Sequence, residues 1–232
     1  MARPHVIEAV LFDVDFTIAR PGPELGPEGY RRLGERHGLT LDPGRYDDAR
    51  HAALRDLQRH PELEHDDEIW VAFTERIIRG MGGDAETAYA AAVEMTAAWE
   101  LHEHFELYED ALPVLEELRR AGLKLGLVSN TGRDLAEFVR HHSLDVDVAI
   151  GSRAHGFTKP HESIFRAALE RLSVEPERAA MIGDSPDDDV DGARALGMTA
   201  FLLDRDGRHP EWVGRLTDLY ALPAALGLPR PG

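Results

Sequence analysis

Cysteine is absent from the chain, which removes disulfides, thiolate nucleophiles and cysteine-ligated zinc in one step. No apolar run approaches the roughly 20 residues needed to span a bilayer. The opening residues, Met1-Ala2-Arg3-Pro4-His5, lack the apolar segment of a signal peptide. Together these absences predict a cytoplasmic protein with no membrane partner. Basic residues are scarce: 26 Lys and Arg stand against 43 Asp and Glu, a formal net charge of -17. Such a surface repels a phosphate backbone, so nucleic acid is not expected as a partner, whereas a local cation site is favoured. There is no internal repeat, and no biased tract beyond the proline- and glycine-bearing tail Leu222 to Gly232. No feature specifies an oligomeric state.

What is present suits one large domain or two smaller ones: 232 residues, 43% of them hydrophobic, are ample for a packed core. The chain is organised around Val10-Leu11-Phe12-Asp13-Val14-Asp15-Phe16-Thr17. The apolar run Val6 to Phe12 reads as a buried strand ending in a charged loop. Side chains repeat every two residues in extended backbone, so Asp13, Asp15 and Thr17 tend to point the same way at its end. Two carboxylates so close are costly unless they share a cation or a proton.

The stretch Ala19 to Pro27 is too rich in proline and glycine for helix interior or central strand and reads as a hinge. Residues 28–104 then carry helical spacing, broken at Gly38, His60-Pro61 and Gly80-Met81-Gly82-Gly83 into about four helices. After that insertion helix and strand alternate. A helix ending at Gly122 precedes a strand from Leu123 to Val128 that runs into Ser129-Asn130-Thr131. A helix near 135–141 leads to a strand at 146–150, and a loop through Lys159-Pro160 leads to a helix at 164–172. A strand at 179–182 enters Gly183-Asp184, a helix carries Val190, Ala193 and Leu196, and a strand closes at 199–203. The segment Pro210 to Ala225 reads as a short helix with an edge element. This alternation predicts an α/β fold, a parallel sheet with helices on both faces. Ligands in such folds sit beyond the carboxyl ends of the strands, where Asp13, Asp15, Ser129 and Asp184 all fall.

Asp13-Val14-Asp15-Phe16-Thr17, Ser129-Asn130-Thr131, Lys159-Pro160 and Gly183-Asp184-Ser185-Pro186-Asp187-Asp188-Asp189 resemble, in order, the four signature motifs of the haloacid dehalogenase-like (HAD) hydrolase superfamily. The likeness covers residues 6–18 and 106–205, and the helical insertion is similar to the type 1 cap of subfamily I. The resemblance implies a Rossmann-like core from residues 1–18 and 106–232 and a helical cap at 19–105. It also implies roles. Asp13 is the expected nucleophile, giving an aspartyl phosphate, and Asp15 the acid and base that protonates the leaving oxygen and then deprotonates water. Mg2+ is expected on a carboxylate oxygen of Asp13, the backbone carbonyl of Asp15 and a carboxylate oxygen of Asp184, with Asp189 holding metal-bound water or Lys159 and Asp188 a weaker candidate. Ser129 and Lys159 are expected to donate to phosphate oxygens. The backbone N–H groups after Asp13 and after Ser129, those of Val14 and Asn130, are expected as further donors, and Thr17 is expected to fix the loop that carries Asp15. The implied function is magnesium-dependent hydrolysis of a small phosphorylated metabolite. A haloacid dehalogenase, a phosphomutase and a non-catalytic binding protein of the same fold are the alternatives.

Two other patterns are set aside. Asp187 to Gly192 opens like a calcium-binding loop, but Met198 stands where a bidentate glutamate is required. His102-Glu103-His104 lacks further nearby ligands and reads as a solvated hinge. The position after Asp15 is most often glycine in the family. Phe16 resists a positive φ, so the loop is expected to have ordinary backbone geometry. Specificity is expected from the cap, with Arg45, Tyr46, His51 and Trp70 as candidates.

Overall fold

The computed structural model describes residues 6–57 and 60–229. The expectation at Met1 to His5, and the last three residues of the tail, lie outside the described residues. The chain divides into two compact units, 1–20 with 107–232 and 21–106.

The first unit is built on a sheet of five strands in the order β5 (Val148–Gly151), β4 (Lys124–Ser129), β1 (Ala9–Phe12), β6 (Ala179–Gly183), β7 (Thr199–Leu202). Every pairing is parallel, and helices lie on both faces, as the alternation of elements predicts. All four residues of β1 are buried, as a central strand covered on both sides requires. The strand is shorter than the apolar run: Val6 is 74% exposed.

Between β4 and β5 lies α6 (Leu135–His141), and between β5 and β6 lie α7 (Ser152–His155) and α8 (Glu162–Leu172). Ile164, Phe165, Ala168, Leu169 and Leu172 of α8 bury against Leu11, Val128, Val148 and Met181 of the sheet. Glycine at 126 lets the side chains of the two flanking strands fill the face under α8, since a Cβ there would meet side-chain atoms of Leu11 at 2.6 Å and Val148 at 2.8 Å. A further helix, α5 (Ala111–Arg120), packs on β4 with Val114, Leu115 and Leu118 buried.

The expected helix through Val190 and Leu196 is instead a π-helical turn, Pro186–Asp191, followed by one α-helical turn, α9 (Gly192–Ala195). The wider turn lets the Asp189 carboxylate fold back to accept the Ser185 N–H at 3.0 Å. In the segment from Pro210 to Ala225 there is a bridge from Leu216 to Leu203, a 3-10 turn Leu219–Ala221 and α10 (Leu222–Ala225).

The second unit carries α1 (Pro27–Arg36), α2 (Tyr46–Arg55), α3 (Asp67–Gly80) and α4 (Ala88–Ala98). Pro27 opens α1 at a position where no N–H is needed, and Asp66 caps α3 by accepting from Glu68 N at 2.9 Å. Inside the bundle the rings of Tyr30 and Tyr46 meet at 5.2 Å. A separate pair of short strands, β2 (Ala19–Pro21) and β3 (Phe105–Leu107), contains the boundaries between the two units.

Candidate active site

Register alone assembles the first part of the site. Phe12 pairs with Leu127 on one side and Ile182 on the other, so two residues further on Val14 is level with Ser129 and Asp184. The sheet ends there, and the polar residues of three adjacent strands emerge together. Asp13 still donates its N–H to Ile182 O at 2.9 Å. Beyond it the chain wraps around one carbonyl: Val14 O accepts from Ile18 N and Ala19 N, each at 3.0 Å, and Phe16 N donates to Ala19 O at 2.7 Å.

That turn corrects the expectation of ordinary geometry at Phe16, whose φ is +64°. Closing the loop so tightly demands a left-handed residue. A non-glycine residue adopts this at a cost of roughly 1–2 kcal/mol, held in place by the hydrogen bonds on either side.

Lys159 Nζ donates to Asp13 Oδ1 at 2.5 Å and to Asp189 Oδ1 at 2.7 Å, joining positions 146 and 30 residues away in the chain. All three side chains are buried. Asn130 brackets the backbone of Lys159: its Oδ1 accepts Lys159 N at 2.6 Å and its Nδ2 donates to Lys159 O at 3.1 Å. Glycine at 183 makes room for Asp189, because a Cβ there would lie 2.1 Å from Asp189 Oδ2.

Asp13, Asp184 and Asp189 each offer a carboxylate oxygen within 4.8 Å of the others. Burial pushes the Asp13 carboxyl well above the usual carboxylate range, with the charges of Asp189, Asp184 and Asp15 adding to it against the pull of Lys159. Asp184 is pushed up to about 6 by burial and by Asp189, against Arg208. Lys159 is raised: burial would lower it, and the two carboxylates more than offset that. Three crowded carboxylates, two of which, Asp13 and Asp184, resist carrying charge, offer only oxygen donors and fit a hard divalent cation. Asp188, the weaker candidate, takes only a long contact of 3.5 Å from Asn130 Nδ2.

Thr17 is fully enclosed, and its carbonyl accepts from Arg205 Nη2 at 2.8 Å. Ser129 is buried at the tip of β4. The candidates at 45, 46, 51 and 70 all lie in the second unit. Tyr46 is buried in its core, Arg45 and His51 are exposed, and Trp70 meets Phe73 edge-on at 6.1 Å. His102 and His104 lie in a 3-10 turn, where His104 Nδ1 contacts Ala98 O at 2.9 Å.

Two arginines at the site escaped the sequence reading. Arg133 Nη2 lies 2.7 Å from both carboxylate oxygens of Asp15, and Arg208 Nη2 donates to Asp184 Oδ2 at 2.7 Å. The one signal for Arg133 is its place four residues after Ser129. Arg208 sits in the loop after β7, braced by Asp204, which accepts the Arg208 N–H at 2.7 Å and the His209 N–H at 3.1 Å.

A parallel α/β core with a buried aspartate-and-lysine pair and a carboxylate cluster at its strand ends is the framework of an enzyme of the hydrolase type. The haloacid dehalogenase-like hydrolase family model matches residues 7–197, and the chain belongs to that family. It is 30% identical over 221 residues, 92% of this chain and 90% of the other, to a glyceraldehyde 3-phosphate phosphatase of Methanopyrus kandleri. A phosphoserine phosphatase of Thermus thermophilus is 39% identical over 147 residues, 60% of this chain and 57% of that protein. The crystal structure of a HAD phosphatase from Thermococcus onnurineus superposes with a TM-score of 0.65 at 30% identity, covering 97% of this chain and all of that one.

Proposed function

We propose that this chain is a magnesium-dependent phosphatase that hydrolyses a small phosphorylated metabolite through an aspartyl phosphate on Asp13. The observation that carries the proposal is the meeting of Asp13, Lys159, Asp184 and Asp189 beside Asp15, at the ends of adjacent strands. The kinship with phosphatases in the family supports the choice of phosphorus over carbon as the atom attacked.

Asp13 Oδ bonds to phosphorus, the ester bond breaks, and the leaving oxygen takes a proton from Asp15. Water then bonds to the same phosphorus, the bond to Asp13 breaks, its proton passes to Asp15, and inorganic phosphate leaves. Lys159 and Ser129 donate to the phosphoryl oxygens as charge redistributes. Asp189 holds Lys159 in place for this, and Asn130 fixes the loop that carries it. Asp13, Asp184 and the Asp15 carbonyl would hold Mg2+, which would supply positive charge to offset repulsion between the anionic nucleophile and anionic substrate and would help to orient the phosphoryl group.

The test is hydrolysis of p-nitrophenyl phosphate with and without Mg2+, beside Asp13→Asn. Loss of the nucleophile is expected to lower turnover by about 10³-fold or more, and wild-type enzyme quenched during turnover should carry one phosphoryl group on Asp13. Chloride release from a 2-haloacid without Mg2+, or Asp13→Asn turning over like wild type, would overturn the proposal.

A further inference from the structure

Arg133 and Asp15 stand 118 residues apart in the chain and meet through one guanidinium nitrogen lying 2.7 Å from both carboxylate oxygens. The arginine side chain is 1% exposed and the aspartate 22%. Burying so long and fully charged a side chain carries desolvation and rotamer costs that an ordinary surface ion pair avoids. The protein also holds the guanidinium from other directions. Its Nη2 lies 3.3 Å from Thr131 Oγ1, the same hydroxyl accepts the Arg133 backbone N–H at 3.1 Å, and the Phe138 ring lies 5.4 Å beneath Cζ. Thr131 is anchored in turn, donating its N–H to Ser152 Oγ at 2.9 Å and accepting from that hydroxyl on its carbonyl at 3.2 Å. A fixed relay therefore runs from the ends of β4 and β5 to the carboxylate of Asp15.

We propose that Arg133 is the positioning residue for Asp15 and that its contribution falls on the second half of the reaction, hydrolysis of the phosphoenzyme. The inference rests on the phosphatase reading above. Asp15 has two opposite tasks. In the first it presents a hydrogen to the leaving oxygen; in the second it presents a bare oxygen to water. A carboxylate chelated end-on by a donor nitrogen offers lone pairs on both oxygens and is oriented to receive. After the first step Asp15 has given its proton to the departing alcohol and faces a phosphorylated Asp13. Without Arg133 nothing on this relay keeps it pointed at the incoming water.

In that half-reaction the water oxygen bonds to phosphorus, the bond from phosphorus to Asp13 Oδ breaks, and one water proton moves to Asp15. Inorganic phosphate departs and Asp15 is left protonated for the next cycle. A p-nitrophenolate leaving group needs little help from an acid, so the two halves can be read separately with this substrate.

The experiment is rapid-quench kinetics of the full-length protein with Mg2+ and p-nitrophenyl phosphate, comparing wild type, Arg133→Lys, Arg133→Met and Asp13→Asn. In Arg133→Met the first-turnover release of p-nitrophenolate should stay within about threefold of wild type while the steady rate falls about tenfold or more, giving a burst that approaches the enzyme concentration. The quenched protein should then carry the mass of one phosphoryl group, and Arg133→Lys should lie between. Equal losses in both phases, or no loss in either, would overturn the role assigned to Arg133 and leave the phosphatase reading standing. Undiminished turnover by Asp13→Asn would overturn that reading and this inference together. Circular dichroism identifies a variant that has failed to fold, and Arg133→Lys, which keeps the charge and most of the volume, then carries the comparison.

Discussion

Asp184 meets its counter-charge in Arg208, whose Nη2 lies 2.7 Å from the carboxylate oxygen. A divalent cation approaching that carboxylate has to share it with the guanidinium. Removing the arginine should therefore tighten the site: Arg208→Gln is expected to bind Mg2+ about three- to tenfold more strongly by isothermal titration, the scale of one partly exposed ion pair. Weaker binding would show that Arg208 supports the metal site. The contrast with Asp184 explains what a sequence exposes at this scale. Asp13, Asp15 and Asp184 stand out because each sits in a short pattern at the end of an apolar run, whereas Lys159, in a loop, stands out only through the likeness of Lys159-Pro160 to a family motif. Arg133 and Arg208 belong to a population of 26 basic residues, and apart from the nearness of Arg133 to Ser129 nothing in their neighbours marks them, since their partners lie 118 and 24 positions away. Phe16 misled for a different reason: the steric preference of the residue was read, while the demand of the turn that closes on Val14 O becomes visible only once that turn is built.

Between residue and fold stands the turn that follows β6. Ser185, Pro186 and the acidic run after them carry ordinary signals for a helix start, and Ser185 Oγ does accept the Asp188 N–H at 3.2 Å. What those signals omit is the destination of Asp189. Its carboxylate folds over Gly183 to reach Ser185 N and Lys159 Nζ, and the backbone widens into a π-helical turn to allow it. Gly183→Ala tests this dependence. The added Cβ would fall 2.7 Å from Asp189 Cβ as well as 2.1 Å from its Oδ2, so rotating the carboxylate does not relieve the clash and the turn itself has to shift. Overpacking of this kind costs about 1–3 kcal/mol, and urea denaturation should show a loss in that range. Activity should fall further than stability, because Lys159 loses a partner that orients it. Unchanged urea and activity profiles would mean the turn relaxes freely. The strands themselves are legible because parallel central strands are apolar runs with abrupt polar ends, and the helix expected near 135–141 stands at Leu135–His141, where Asp134 caps it by accepting from Ala136 N and Glu137 N.

A net charge of -17 makes the whole molecule an anion, and the acids it buries sit where that charge is hardest to bear. Burial raises Asp13 well above its ordinary range and lifts Asp184 to about 6. In the absence of a divalent cation the folded chain therefore holds protons on these groups more tightly than the unfolded chain does. Their favourable contribution to stability is complete below the ordinary carboxylate value and is lost, for Asp184, as pH rises through about 6. A bound cation supplies the missing positive charge, and it competes with a proton on Asp184 below about pH 6 and with less of one above it. Mg2+ should then raise the melting temperature more at about pH 7.5 than at about pH 5, with a difference of several degrees at a concentration about a hundredfold above its dissociation constant. Thermal denaturation at the two pH values, with and without Mg2+, measures it directly. A shift independent of pH would place the ion away from Asp13 and Asp184, whereas the expected widening ties its binding to the same buried carboxylates that crowd the ends of β1 and β6.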